Sequence, residues 1–163
     1  MSIFLKLKHW QIFLVWILGI IQLVVFMNTE LWFLGLAIYL GLLFGWIYSI
    51  GRVLNENNVD TKRKLNIWSI LYLISLIPFG IHFHNMFSGS YERLPPLILI
   101  IGGGISLVSI VNIGIIGAKS LKEKESNGEL TFGNYAPEFF LIVYMIIGVW
   151  IIQPRLNKII REG

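Results

Sequence analysis

The chain has 163 residues, of which 56% are hydrophobic and only 13% charged, and its mean hydropathy is +0.74. An ordinary soluble domain carries roughly 25% charged residues; half that charge cannot cover a water-facing surface, and disorder is excluded because it requires low hydrophobicity. The net charge of +4 therefore reads as the loop charge that orients a membrane protein, with no nucleic-acid partner implied.

Five stretches contain no Asp, Glu, Lys or Arg: residues 10–27, 31–49, 67–83, 97–118 and 139–153. A spanning helix needs about 20 apolar residues, with a range of roughly 17–25. The first four, of 18, 19, 17 and 22 residues, meet that length, and the fifth, with 15, is short. Backbone in lipid must satisfy its own hydrogen bonds, and none of these runs alternates as a barrel strand does. The expected fold is an all-α integral membrane protein, a single membrane domain of four transmembrane helices plus a short fifth. No connection reaches the ~40 residues at which a soluble domain can hold a core unaided.

Along the chain, Lys6 and Lys8 precede the first run, which reads as a retained helix because no small-x-small cleavage site follows it. Asn28, Thr29 and Glu30 make a three-residue turn, so the first two helices form an antiparallel hairpin; Thr29 is placed to cap the second. Arg52, Lys62, Arg63 and Lys64 fall in the second connection, and Lys119, Lys122 and Lys124 in the fourth. The third connection has only Arg93. This imbalance puts the N-terminus in the cytoplasm of a cell with an inner (cytoplasmic) membrane.

The fifth run leaves two alternatives. If it spans, the tail with Arg155, Lys158 and Arg161 lies outside, against the positive-inside rule. If it is re-entrant, the tail returns to the cytoplasm. Its lack of a polar face argues against lying flat on the surface. With Pro137 in the first turn and a snorkelling Arg155, a thin spanning helix is the expectation.

KLKHWQIFL at 6–14, FGWIYSIG at 44–51 and EFFLIVYMIIGVWIIQPRLNKI at 138–159 resemble segments of a group of small uncharacterised multi-span membrane proteins of Bacteroidota-type bacteria. The resemblance covers both ends and one middle segment, and it implies a membrane protein without implying an activity. That group often has Pro in the middle of the last apolar run. This chain reads Ile146-Ile147-Gly148 there, which favours one continuous helix.

The chemistry the residues offer is sparse. With no cysteine there is no disulfide, thiolate site or Cys nucleophile. Only His82, near the end of the third run, comes close to the intramembrane acid or base that proton-coupled transport or intramembrane hydrolysis would need. No enzyme and no cofactor is expected. His82 and His84 are a weak metal candidate: on a strand both rings share a face, whereas on a helix they diverge by about 200°.

Two helices carry small residues in register. Gly41, Gly45 and Ser49 are spaced four apart in the second run. In the fourth, Gly102, Ser106, Ser109 and Gly117 share one stripe flanked by Asn112. Such stripes let helices approach closely, so they fit packing of the second helix on the fourth, an oligomer contact, or a pore lined by several copies. Gln22 and Asn112 are the two amides inside the spans and away from their end residues, and each needs a hydrogen-bond partner there.

The expectation is a non-enzymatic membrane subunit or scaffold, embedded in the lipid bilayer, that acts through helix contacts as a homo-oligomer or with a partner membrane protein. The alternatives are an oligomeric ion channel or membrane-permeabilising effector, and a transporter of a small neutral solute. No acidic or basic ring supports the first, and no internal repeat supports the second.

Overall fold

The computed structural model describes residues 7–26, 29, 32–87, 94–126 and 130–162. Every regular element among them is a helix: α1 (His9–Phe26), α2 (Trp32–Leu54), α3 (Val59–Ser75), α4 (Ile77–Phe87), α5 (Pro96–Glu125), α6 (Phe132–Val143) and α7 (Met145–Glu162). Four stretches are long and apolar enough to cross a membrane: α1, α2, the α3–α4 unit over Val59–His82, and α5. The chain is an all-α integral membrane protein, with a fifth segment that is present as a bent pair.

α1 and α2 form the expected hairpin. Their backbones come close at two glycines outside the expected stripes. A Cβ at Gly35 would lie 3.2 Å from the Leu23 Cα, and one at Gly19 would lie 3.0 Å from a Leu42 methyl. The Thr29 hydroxyl donates to the Phe26 carbonyl at 2.9 Å and so closes α1; Asn28 and Glu30 of the expected turn lie outside the described residues.

The second connection is much shorter than the charge pattern implies. Helix α2 runs on to Leu54, and α3 begins at Val59, capped by the Asn58 side chain accepting from the Thr61 N–H. Arg52, Lys62, Arg63 and Lys64 therefore stand on helices, separated by a four-residue turn at 55–58. Helix α5 likewise carries Lys119, Lys122 and Lys124 in its own last turns, where cations suit the negative end of a helix. At 1.5 Å per residue its 30 residues reach about 45 Å, well beyond a hydrocarbon core of ~30 Å.

The third span kinks at Leu76, between α3 and α4. Pro78 has no N–H to offer the Ile74 carbonyl, and it follows directly on the break. Gly102 on α5 fits against this kink: a Cβ there would lie 3.2 Å from the Ser75 carbonyl oxygen and 3.7 Å from the Pro78 ring.

The continuous helix expected over 139–153 is not formed. The chain breaks at Tyr144, and α6 and α7 are bent by 117°. Helix α6 also begins earlier than expected, at Phe132, which puts Pro137 in its interior instead of its first turn. The buried core joins this bent pair to the rest. Ile142, Met145, Val149, Ile152 and Leu156 pack with Ile12, Trp46, Ile50, Leu65, Ile113 and Leu121. The run is apolar because one face is buried in protein, while Tyr144 at the bend is 66% exposed.

Candidate functional site

Four of the buried polar side chains, Asn55, Ser120, Glu138 and Gln153, lie near helix ends that carry charge. Gln153 on α7, fully buried, accepts from the Trp46 indole N–H of α2 at 3.2 Å. Its own amide donates to the Leu7 carbonyl at 3.2 Å, just before α1, and to Asn157 Oδ1 at 3.3 Å. One amide thus fastens α7 to both helices of the first hairpin. Beside it, Asn55 at the end of α2 donates to Ser120 Oγ of α5 at 2.7 Å and to the Gly51 carbonyl at 2.7 Å.

An ion network closes the bent pair. The Arg155 guanidinium grips Glu125 with two donors: Nε donates to Oε1 at 2.8 Å, and Nη2 donates to Oε2. Nη2 also donates to Glu138 Oε1 at 2.9 Å, and the Lys122 ammonium stands 3.5 Å from that same oxygen. Glu138 is 5% exposed, and its Oε2 has no partner among the described residues. The planar fork of arginine suits this geometry better than a lysine would. Two carboxylates face two cations, so the cluster is neutral as a unit. Its groups point at one another, and the arrangement acts as a clamp between α5, α6 and α7.

The clamp fixes how the last segment runs. Glu138 near its start and Arg155 near its end meet at the charged end of α5, and Gln153 meets the residue before α1. Between them, Phe139 and Val143 pack on Gly114, where a Cβ would lie 3.2 Å from the Phe139 ring and 3.6 Å from Val143. Gly114 is five residues from Lys119, about 7 Å of helix rise. The Glu138–Arg155 pair thus brings the two arms of the bent segment together beside Glu125 of α5. Arg155, which the sequence suggests as a snorkelling residue beyond a span, is instead a partner of Glu125 and Glu138.

The small-residue stripes are divided among several contacts. On α5, Gly102 meets the α3–α4 kink, and Gly117 meets Ile50 of α2 and Ile142 of α6, at 3.4 and 3.5 Å from a Cβ. Ser109 is fully buried, whereas Ser106 is half-buried. On α2, Gly41 is exposed with open space around it, so it takes no part in packing within the chain. Gly45 accepts, through its carbonyl, from the Ser49 hydroxyl of the same helix at 2.6 Å. The second helix meets the fourth span at Ile50 and Gly51 rather than through Gly41.

Of the two amides inside the spans, Asn112 donates to the Val108 carbonyl of its own helix at 2.8 Å, which does not tie helices together. Gln22 is half-buried near Gly35. His82 and His84 lie on helix α4, half-buried and exposed respectively, so the strand geometry that could chelate a metal is not formed. No group of three potential metal ligands occurs among the described residues.

Sequence reasoning did not single out Asn55, Ser120 or Glu125, nor the pairing of Trp46 with Gln153 and of Glu138 with Arg155. Their spacings, such as 107 residues between Trp46 and Gln153, form no readable motif. The available signal was Glu138 and Gln153 bracketing a run too short to span. Comparison of the chain with protein-family models, with curated proteins and with solved structures finds no match.

Proposed function

We propose that this chain is a non-enzymatic polytopic subunit or scaffold of the inner (cytoplasmic) membrane, which works through helix contacts with a second copy or a partner membrane protein. The observation that carries this reading is where the interior polar groups go. Trp46, Gln153, Arg155, Glu125 and Glu138 bond to one another or to backbone and hold the bent pair against the rest of the bundle, while Asn55 and Ser120 join α2 to α5. A proton relay or hydrolytic centre needs an ionisable group presented to substrate; these groups are presented to each other.

The outer surface supports the same reading. Gly41 on α2, Gly80 on α4 and Gly104 on α5 each have open space where a Cβ would be. Small exposed residues on a lipid-facing helix are where a helix of another chain approaches most closely. By the positive-inside rule the clamp end, rich in Lys and Arg, faces the cytoplasm, with the N- and C-terminal helix ends both on that side.

The test is the oligomeric state of the purified chain in lipid nanodiscs, with Gly41→Leu beside wild type. Because Gly41 touches nothing within its own chain, the substitution should leave the fold unchanged and weaken association. A monomeric wild type that carries ions across liposomes would overturn the subunit reading in favour of a channel.

A further inference from the structure

The cations of this chain fall into two groups. Lys119 pairs with Glu123, and Lys122 and Arg155 pair with Glu138 and Glu125. Arg52, Lys62 and Arg63 have no carboxylate within ion-pair distance among the described residues, yet they converge. Arg52 ends α2, Lys62 and Arg63 begin α3, and all three line one open groove of about 550 Å³ with Asn66, Ile67 and Ile70. No acid lines this groove. Three like charges drawn together without a counter-charge repel one another, and a bound anion would relieve that.

Val59 lines the groove at the start of α3, before Lys62 and Arg63, and two of the cations are held by hydrogen bonds. The Tyr48 hydroxyl donates to Asn66 Oδ1 at 2.9 Å and accepts from Arg52 Nη1 at 3.2 Å, which holds the guanidinium over the groove mouth. The Arg52 charge also lies 5.9 Å from the Tyr48 ring centre. Lys62 is steadied by donating to the Glu56 carbonyl at 2.8 Å, and its other N–H donors are left for a ligand. One and two turns further along α3, the lining becomes Ile67 and Ile70, 47% and 57% exposed, where the third span enters its apolar stretch.

We infer that this groove binds an anionic phospholipid, with the phosphate held by Arg52, Lys62 and Arg63 and an acyl chain laid along Ile67 and Ile70. A phosphate oxygen cluster matches the guanidinium and ammonium donors. The isoleucine floor is what distinguishes a lipid from a soluble phosphate, which would gain nothing from it. Juxtamembrane cations are worth about 1 kcal/mol each toward an anionic headgroup, or roughly 5-fold in affinity. The inference requires only that the chain is embedded in a bilayer, whatever it does there.

The test measures lipid binding to the full chain in mild detergent by native mass spectrometry, with phosphatidylglycerol and phosphatidylcholine as probes. Phosphatidylglycerol should bind about 100-fold more tightly than phosphatidylcholine, following the count of three cations. R52Q/R63Q should weaken it by roughly 30-fold, two cations' worth, with phosphatidylcholine unchanged. Removal of a cation outside the groove, K119Q, should change neither. If R52Q/R63Q shifts the melting temperature, K62Q alone reads the same contact, with a loss of about 5-fold. Equal binding of the two lipids would overturn the inference, as would a loss in the groove variants no greater than in K119Q. Full competition by millimolar inorganic phosphate or glycerol 3-phosphate would show an ion site that ignores the acyl chain, and would overturn it as well.

Discussion

Gly148 of α7 lies directly against the Leu141 carbonyl of α6, so close that a Cβ at position 148 would overlap that oxygen. This contact is what lets the chain fold back at Tyr144. The Gly148 N–H, with that of Ile147, bonds to the Tyr144 carbonyl, and the Tyr144 N–H bonds to the Phe140 carbonyl. The glycine sits four residues past the break, where it clears the path of the preceding helix.

Gly148→Ala should therefore open the bend. Backbone cannot yield as a flexible side chain can, so the cost should reach or exceed the 1–3 kcal/mol typical of overpacking. The measurement is the melting temperature in detergent. An unchanged value would mean that α6 and α7 are not apposed at this point.

Topology gives the second prediction. Because Arg155 meets Glu125 and Gln153 meets Leu7, the end of α7 should lie on the same side of the membrane as the 55–58 turn. Reporter fusions at Asn57 and after Gly163 should report one compartment, the cytoplasm, and a fusion at Ser88 the other. Opposite compartments for Asn57 and Gly163 would mean that the last segment crosses. The same result would undo the clamp as a description of the protein in its membrane.

The clamp itself should be strongly asymmetric to mutation. Arg155→Ala leaves Glu138 buried with only the more distant Lys122, and breaking a buried pair from one side costs about 3–5 kcal/mol. Glu125→Gln should cost no more than about 1 kcal/mol, because Glu125 is partly exposed and the amide can still accept one hydrogen bond. The double variant Arg155→Met with Glu138→Leu should recover most of the loss of Arg155→Ala, since both charges leave together. Chemical or thermal unfolding of the four proteins decides this. Equal losses for Arg155→Ala and Glu125→Gln would mean the network is an ordinary surface pair.

The four spans were legible because lipid demands long uncharged runs, and nothing else in so short a chain supplies them. Their true lengths were not legible. A charge ends a hydrophobic run without ending a helix: KSLKEKE after Gly117-Ala118 is made largely of good helix formers, and Lys119 and Glu123 pair at i,i+4. The bend at Tyr144 was hidden for a different reason. No Pro or Gly stands at the break, and the glycine that permits it lies a turn later. The apolar character of 139–153 suits burial against α1, α2 and α5 as well as it suits lipid. The break before Pro78 was not read from the sequence, and the contact of Pro78 with Gly102 requires the packing of α3 and α4 on α5.

The α5 stripe separates the subunit reading from the channel reading, and Ser109 is its more deeply buried serine. Ser109 is fully buried, and its hydroxyl has no hydrogen-bond partner among the described residues. A buried hydroxyl without a partner carries a desolvation cost that alanine removes, so Ser109→Ala should be neutral to about 1 kcal/mol stabilising. Ser109→Leu forces a larger side chain between packed helices and should cost about 1–3 kcal/mol. Ser106 is half-buried, so Ser106→Leu should cost less than Ser109→Leu. A pore would give a different pattern. Serines lining water would tolerate leucine without loss of stability, while an apolar constriction would dewet and block conduction. Thermal melts of the three variants, run beside ion flux in liposomes, distinguish the two. A stable Ser109→Leu protein that abolishes a robust wild-type flux would overturn the packing role of the stripe and make α5 the wall of a channel.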